Sequence, residues 1–160
     1  VIKLRDLARK VHALGAESGR GLRFEIQFTR ARDHASELAA RALLAGFTRV
    51  VAAGGDGTIR ETAQPLLNKD AALAILPCGS GNGLARNLYI PLEFDAALEG
   101  LLQWEPRRVD AGLANGRPFF CAAGVGLDAE VAHDFNSGGS RRGILPYLWH
   151  SARSILSYKP

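Results

Sequence analysis

Two segments of this chain repeat one pattern: a short apolar run, a cluster of glycines, then sequence with helix propensity. Arg49-Val50-Val51-Ala52-Ala53 runs into Gly54-Gly55-Asp56-Gly57-Thr58, and Leu73-Ala74-Ile75-Leu76 runs into Pro77-Cys78-Gly79-Ser80-Gly81-Asn82-Gly83. An aliphatic strand that ends in glycines and restarts as a helix belongs to an open α/β layer with a mainly parallel sheet, whose ligands gather at the carboxyl ends of the strands. Both glycine clusters lie at such ends.

The remaining pattern fills in around these units. Leu4, Leu7, Val11 and Leu14 fall at helical spacing before Gly15, and Leu22, Phe24, Ile26 and Phe28 alternate with polar residues as in a strand with one buried face. Asp33 stands where an N-cap is expected and Gly46 where a helix stops, around an Ala- and Leu-rich stretch. Pro65 predicts an end or a kink near Thr62 to Gln64, because proline removes a helix hydrogen bond. A further helix is expected over Asp95 to Gln103. After Trp104-Glu105-Pro106 the pattern changes, and Asn115-Gly116 between two apolar runs predicts a tight hairpin. The expected organisation is therefore an α/β domain over 1–105 and the beginning of a β-rich second domain over 106–160.

Composition narrows the function. Of 160 residues 47% are hydrophobic and 22% charged, the balance of a chain that folds. No apolar run reaches the roughly 20 residues of a membrane span, and no signal-peptide pattern is seen, so a cytoplasmic setting is expected. The two cysteines, Cys78 and Cys121, lack the spacing of a zinc site and are expected to be buried thiols. His12, His34, His133 and His150 are isolated and are expected to be ordinary histidines. A net charge of +4 allows an anionic partner, but the basic residues are scattered and no aromatic-interleaved basic pattern appears, so nucleic acid is not expected. Arg141 and Arg142 fit either an anionic headgroup or a solvated turn, and Asp110 and Asp128 fit either the cleft or glycine turns.

Glycine lets backbone approach a phosphate closely, and successive amides at a helix start offer hydrogen bonds and a favourable dipole. Asp56 stands out in such a loop, because a carboxylate repels phosphate unless it meets a cation or an organising network; it points to Mg2+ or a structural role. Thr58 can cap the helix or bond a phosphate, and Glu61 one turn on can brace the loop. No Gly-Lys-Ser or Gly-Lys-Thr occurs, which excludes a Walker loop, and Arg60 and Leu84 stand where a dinucleotide fingerprint needs a third small residue.

Gly54-Gly55-Asp56-Gly57-Thr58 with Glu61 resembles the GGDGT-x-x-E signature shared by lipid kinases and NAD kinases. Leu76-Pro77-Cys78-Gly79-Ser80-Gly81-Asn82-Gly83-Leu84-Ala85-Arg86 resembles L-P-x-G-T-x-N-D-x-A-R of the diacylglycerol-kinase-like lipid kinases. The likeness extends through Thr29, Ile90-Pro91, Val109 to Gly112 and Gly124 to Ala129, nearly the whole chain. It implies a two-domain enzyme that passes the γ-phosphoryl group of ATP, with Mg2+, to a lipid hydroxyl at a membrane surface, the acceptor being diacylglycerol-like. It also implies nucleotide contacts from Thr29, Gly54, Gly55, Asp56, Gly57, Thr58, Ile59, Arg60 and Ser80, with Asp56 most closely tied to catalysis and Glu61 and Asn82 in support. Peripheral attachment at the inner membrane face follows from such a substrate.

The pattern is departed from at Ser80, where threonine is usual, and at Gly83, where aspartate is usual. The family's first strand would precede Val1, and its general base and metal-site residues would follow Pro160. The expectation is a fragment with little turnover of its own, whose exposed strands or apolar surface would permit homo-oligomers. Two other classes stay open: a kinase for a soluble acceptor such as NAD, and a non-catalytic nucleotide-binding regulator.

Overall fold

The computed structural model describes residues 9, 10, 13 and 24–124, apart from the side chain of Leu102. The expectations placed on 125–160, including Asp128, His133, His150, Arg141 and Arg142, lie outside the described residues, as do most of the first helix and the start of the first strand. Arg9, Lys10 and Ala13 are helical.

In chain order the elements are α1 (His34–Leu44), β1 (Arg49–Gly54), α2 (Asp56–Ala63), a 3-10 turn (Gln64–Leu66), β2 (Ala72–Pro77), α3 (Gly83–Asn87), α4 (Phe94–Gln103), β3 (Gly112–Ala114) and β4 (Arg117–Phe119). Strands β1 and β2 pair in parallel, with Arg49 opposite Ala72 and Gly54 opposite Pro77, so both strands end level. The pairing continues past the strands, since the Cys78 amide donates to the Gly54 carbonyl at 2.9 Å. An α/β layer with a parallel sheet is thus what the two repeated units build.

Helix α1 ends in a Schellman turn, in which Gly46 at φ 81° lets its own amide reach Leu43 O and the Phe47 amide reach Ala42 O. At the other end Asp33 takes the N-cap place in a left-handed conformation, and its side chain caps nothing. Pro65 is the second residue of the 3-10 turn that directly follows α2, so the helix stops where proline forbids its continuation. Helix α4 starts at Phe94, one residue before the expected start, because the Glu93 carboxylate accepts the Ala96 amide as its cap. At its far end the Trp104 indole lies on Gly100, where any β-carbon would collide with the ring.

Helix α2 packs on both strands and against α1, and α4 packs on β2. The core gathers Ala52, Ile59, Ala63, Ile75, Leu76, Leu84 and Ala85, with Ile90 and Phe94 completing a cluster of Leu76, Ala97 and Leu98. Ile75, Leu76 and Pro77 are buried consecutively, as befits a parallel strand covered on both faces. Lys10 joins the start of α4 by a salt bridge to Asp95 and lies 6.0 Å from the Phe94 ring centroid.

The expected strand from Leu22 to Phe28 is not found over its described part: residues 24–30 are irregular, and Phe24 and Phe28 are exposed. Alternation supplies a face, but a strand also needs a hydrogen-bonded neighbour, and none pairs with this segment among the described residues. The cysteines differ from expectation as well, for Cys78 and Cys121 are both exposed.

By its internal contacts the chain divides into two units, 1–111 and 112–160. The second unit opens with the antiparallel pair β3 and β4 around Asn115 (φ 50°) and Gly116 (φ 74°), the positive angles of a two-residue hairpin. The Phe119 ring covers Gly112 directly across this ladder.

Candidate functional site

The parallel register brings the two glycine loops side by side at the carboxyl end of β1 and β2. Their contact is backbone to backbone. A β-carbon on Gly79 would stand 2.5 Å from the Cα of Gly55, and one on Gly55 would stand 3.2 Å from the Cα of Gly79. A side chain on Gly79 would force the loops apart, and one on Gly55 would press on the opposite backbone.

Asp56, the first residue of α2, crosses this seam. Its Oδ1 accepts the Gly83 amide at 2.7 Å, and its Oδ2 rests over Gly81, 2.8 Å from where a β-carbon would be. The carboxylate is exposed. Gly83 stands where an aspartate is usual in the resemblance, and the group that holds this helix start is Asp56, from the other loop.

The second loop holds itself with side chains. Asn82, 6% exposed, takes a left-handed conformation (φ 52°) and turns its amide back on Gly79, accepting the Gly79 N–H at 2.9 Å and donating to the Gly79 carbonyl at 2.8 Å. It braces the loop rather than capping α3. Arg86 Nε donates to the Gly81 carbonyl at 2.9 Å, tying α3 to the loop that precedes it. Arg86 was part of the matched motif but not among the expected site residues; its signal is only its place one turn into the helix.

The first loop is shaped by absent side chains. Thr58 sits against Gly54, where a β-carbon would fall 2.7 Å from Thr58 Cβ. Thr62 in turn donates from Oγ1 to the Thr58 carbonyl at 2.8 Å. The first amides of α2 receive no side-chain cap, and such amides have no partner within a helix. Gly57 is different again: a β-carbon there would meet nothing within 4 Å. Glycine lowers helix stability relative to alanine, and packing among the described residues gives no reason for it here. Close approach of a ligand would.

The other expected residues fall as follows. Arg60 and Ser80 are exposed and Glu61 half-buried, on or beside the loops. Ile59 is 1% exposed, so its side chain belongs to the core and only its backbone could face a ligand. Thr29 lies exposed in the irregular segment before α1, which is anchored by the Arg30 amide donating to His34 Nδ1 at 3.0 Å. Asp110 is exposed. Among the described residues no three of His, Cys, Asp and Glu gather as a metal cage. Desolvation at the end of β2 pushes the Cys78 thiol above its ordinary pKa, next to the second loop.

The sequence profile of the diacylglycerol kinase catalytic domain matches residues 3–114, a stretch that includes both loops, the seam and Asp56. The chain belongs to the diacylglycerol kinase catalytic domain family. It is 40% identical over 121 residues to a probable lipid kinase, YegS-like, of Pseudomonas aeruginosa, covering 74% of this chain and 40% of that protein. A probable lipid kinase of the same description from Pseudomonas fluorescens is 38% identical over the same length. Among solved structures, a candidate diacylglycerol kinase of Bacillus anthracis str. Sterne superposes with a TM-score of 0.62 at 25% identity, covering 73% of this chain and 42% of that one. The chain therefore spans about 40% of the length of the curated relatives it matches. Within this diacylglycerol kinase family frame, no helix among the described residues is long and apolar enough to cross a membrane.

Proposed function

We propose that this chain supplies the nucleotide-binding part of an ATP-dependent lipid kinase, one that transfers the γ-phosphoryl group to the hydroxyl of a diacylglycerol-like acceptor. The observation that carries the proposal is the seam. Two loops meet backbone to backbone at Gly55 and Gly79, and one exposed carboxylate, Asp56, is held between them by the Gly83 amide.

The uncapped amides at the start of α2 and the glycine backbone suit a polyphosphate, which a helix N-terminus attracts. Gly57 leaves the space above that turn open. Thr29, Gly54, Gly55, Thr58, Ile59 through its backbone, Arg60 and Ser80 complete the nucleotide contacts in this reading, and Glu61 and Asn82 support the loops. Asp56 fits a magnesium ion, which takes one or two carboxylates and leaves its other positions to phosphate and water. Mg2+, when bound, supplies neutralisation of phosphate charge. The chain itself contributes position: Gly83 and Gly81 orient the Asp56 carboxylate, and Asn82 and Arg86 fix the loop they belong to. Phosphoryl transfer needs little covalent help from protein and depends on such placement. The acceptor-side walls, the general base and further metal ligands belong in this reading to the β-rich region beyond the hairpin. The boundary near 105 and a cytoplasmic enzyme peripheral to the inner membrane face are part of the same proposal.

The test uses the full-length parent protein with ATP, Mg2+ and a mixed lipid extract, beside the Asp56→Asn protein. Labelled lipid from the parent, reduced about 100-fold or more in the variant, is the expected result. ATP binding with no lipid labelled, whether NAD is phosphorylated or nothing is, would sink the lipid acceptor.

A further inference from the structure

Helix α3 ends in a turn built around an unusual residue. Leu88 follows its last turn, the Tyr89 amide donates to Arg86 O at 3.1 Å and the Ile90 amide to Ala85 O at 2.9 Å, the paired bonds of a Schellman motif. Its left-handed position, where glycine is the ordinary choice, is occupied by Tyr89 at φ 57°. A bulky residue with positive φ is a genuine outlier, and the strain points to a use.

The turn sends neighbouring side chains in opposite directions. Ile90 packs inward on the cluster of Leu76, Ala97 and Leu98. Tyr89 stands outward, 93% exposed, and Leu92 beyond Pro91 is 39% exposed. No packing in the described chain accounts for a tyrosine here, so its ring is free to meet something outside.

We infer that Tyr89, with Leu92 and Arg86, is a contact point with the surface of an anionic bilayer. The inference rests on the lipid-acceptor reading above, because an enzyme of membrane substrates has to meet the bilayer that holds them. Three features favour a bilayer over a protein. One tyrosine and part of a leucine offer about 300 Å2 at most, well under the roughly 800 Å2 per partner of a stable protein interface. Tyrosine is enriched at membrane interfaces, where its ring meets the acyl boundary and its hydroxyl stays in water. The charge allows it: Arg86 is exposed and bonds through Nε to the neutral Gly81 carbonyl, so that bond leaves its positive charge unneutralised, while the Glu93 carboxylate, still negative, is turned to the Ala96 amide. A basic residue near an anionic surface adds attraction.

The experiment measures partition of the chain onto vesicles of phosphatidylcholine alone and of phosphatidylcholine mixed with phosphatidylglycerol, for the natural sequence, Tyr89→Gly and Tyr89→Trp. ATP binding and thermal melting are recorded on each. Glycine relieves the left-handed strain while removing the ring, so Tyr89→Gly should melt no lower, about 2 °C higher, yet partition about fivefold less onto the anionic vesicles. Tyr89→Trp should bind them at least as well as the natural chain. Equal vesicle binding by Tyr89→Gly and the natural chain overturns the inference, as does self-association in solution that Tyr89→Gly alone abolishes. Failure of vesicle binding with ATP binding intact rejects this surface and leaves the kinase reading standing. Vesicle binding that depends on Tyr89, in a parent that labels no lipid, keeps the surface and removes the acceptor.

Discussion

The two glycine loops meet along one seam but are held by different means. The loop from Gly54 to Thr58 has its shape from missing side chains: Thr58 fills the space over Gly54, and Gly55 abuts Gly79. The loop from Gly79 to Gly83 is braced by side chains, two bonds from Asn82 and one from Arg86. One loop therefore keeps its amides and its open Gly57 available, while the other is fixed on itself by Asn82 and Arg86 and leaves Ser80 exposed. Asp56 reaches from the first to the second and ties the two together.

The largest test of this contrast is Gly79→Ala. Its β-carbon would meet the backbone of the opposite loop at 2.5 Å, where no flexible atom can yield. We expect a loss of about 3 kcal/mol in urea unfolding and loss of ATP binding. Retained stability would show that the seam opens easily. Next comes Asn82→Ala, which leaves both polar groups of Gly79 without their partner; about 2 kcal/mol of stability should go, with a weaker effect on ATP affinity than Gly79→Ala, measured by calorimetry.

Gly57→Ala separates the loops most sharply, because the same substitution acts in the opposite direction. With open space around the new methyl group, the chain should gain about 0.5 kcal/mol, while ATP affinity falls about tenfold, equivalent to 1.4 kcal/mol. A stable variant that binds ATP normally would remove the ligand from the space above Gly57. The smallest effect concerns Cys78. Its raised pKa means less thiolate at a given pH, so iodoacetamide should label it more slowly than an unstructured cysteine peptide near neutrality. The rate should rise with a midpoint displaced to higher pH, and the difference should vanish in denaturant. Because the folded state favours the neutral thiol, this group's contribution to stability is present below the ordinary thiol pKa and declines as pH rises through the folded one.

Much of this was legible beforehand. The glycine clusters, the parallel α/β layer, the stop at Gly46, the break at Pro65 and the Asn115-Gly116 hairpin all follow from local rules, because each depends on what one residue's backbone can or cannot do. The strand expected around Phe24 does not form over its described part for the complementary reason: periodicity describes a face, and pairing is a property of two segments. Cys78 is exposed rather than buried because burial depends on neighbours that hydropathy does not name. Arg86 and Tyr89 drew no attention as local features, since nothing in their type announces a carbonyl partner or a left-handed turn.

By itself the sequence determined the kind of loops, their order, and the family to which they belong, since glycine, aspartate and proline act through their own covalent geometry. The tertiary structure alone decided that Asp56 of one loop serves the amide of Gly83 in the other. Those residues are 27 positions apart, and only the level ending of two parallel strands brings them within hydrogen-bonding distance.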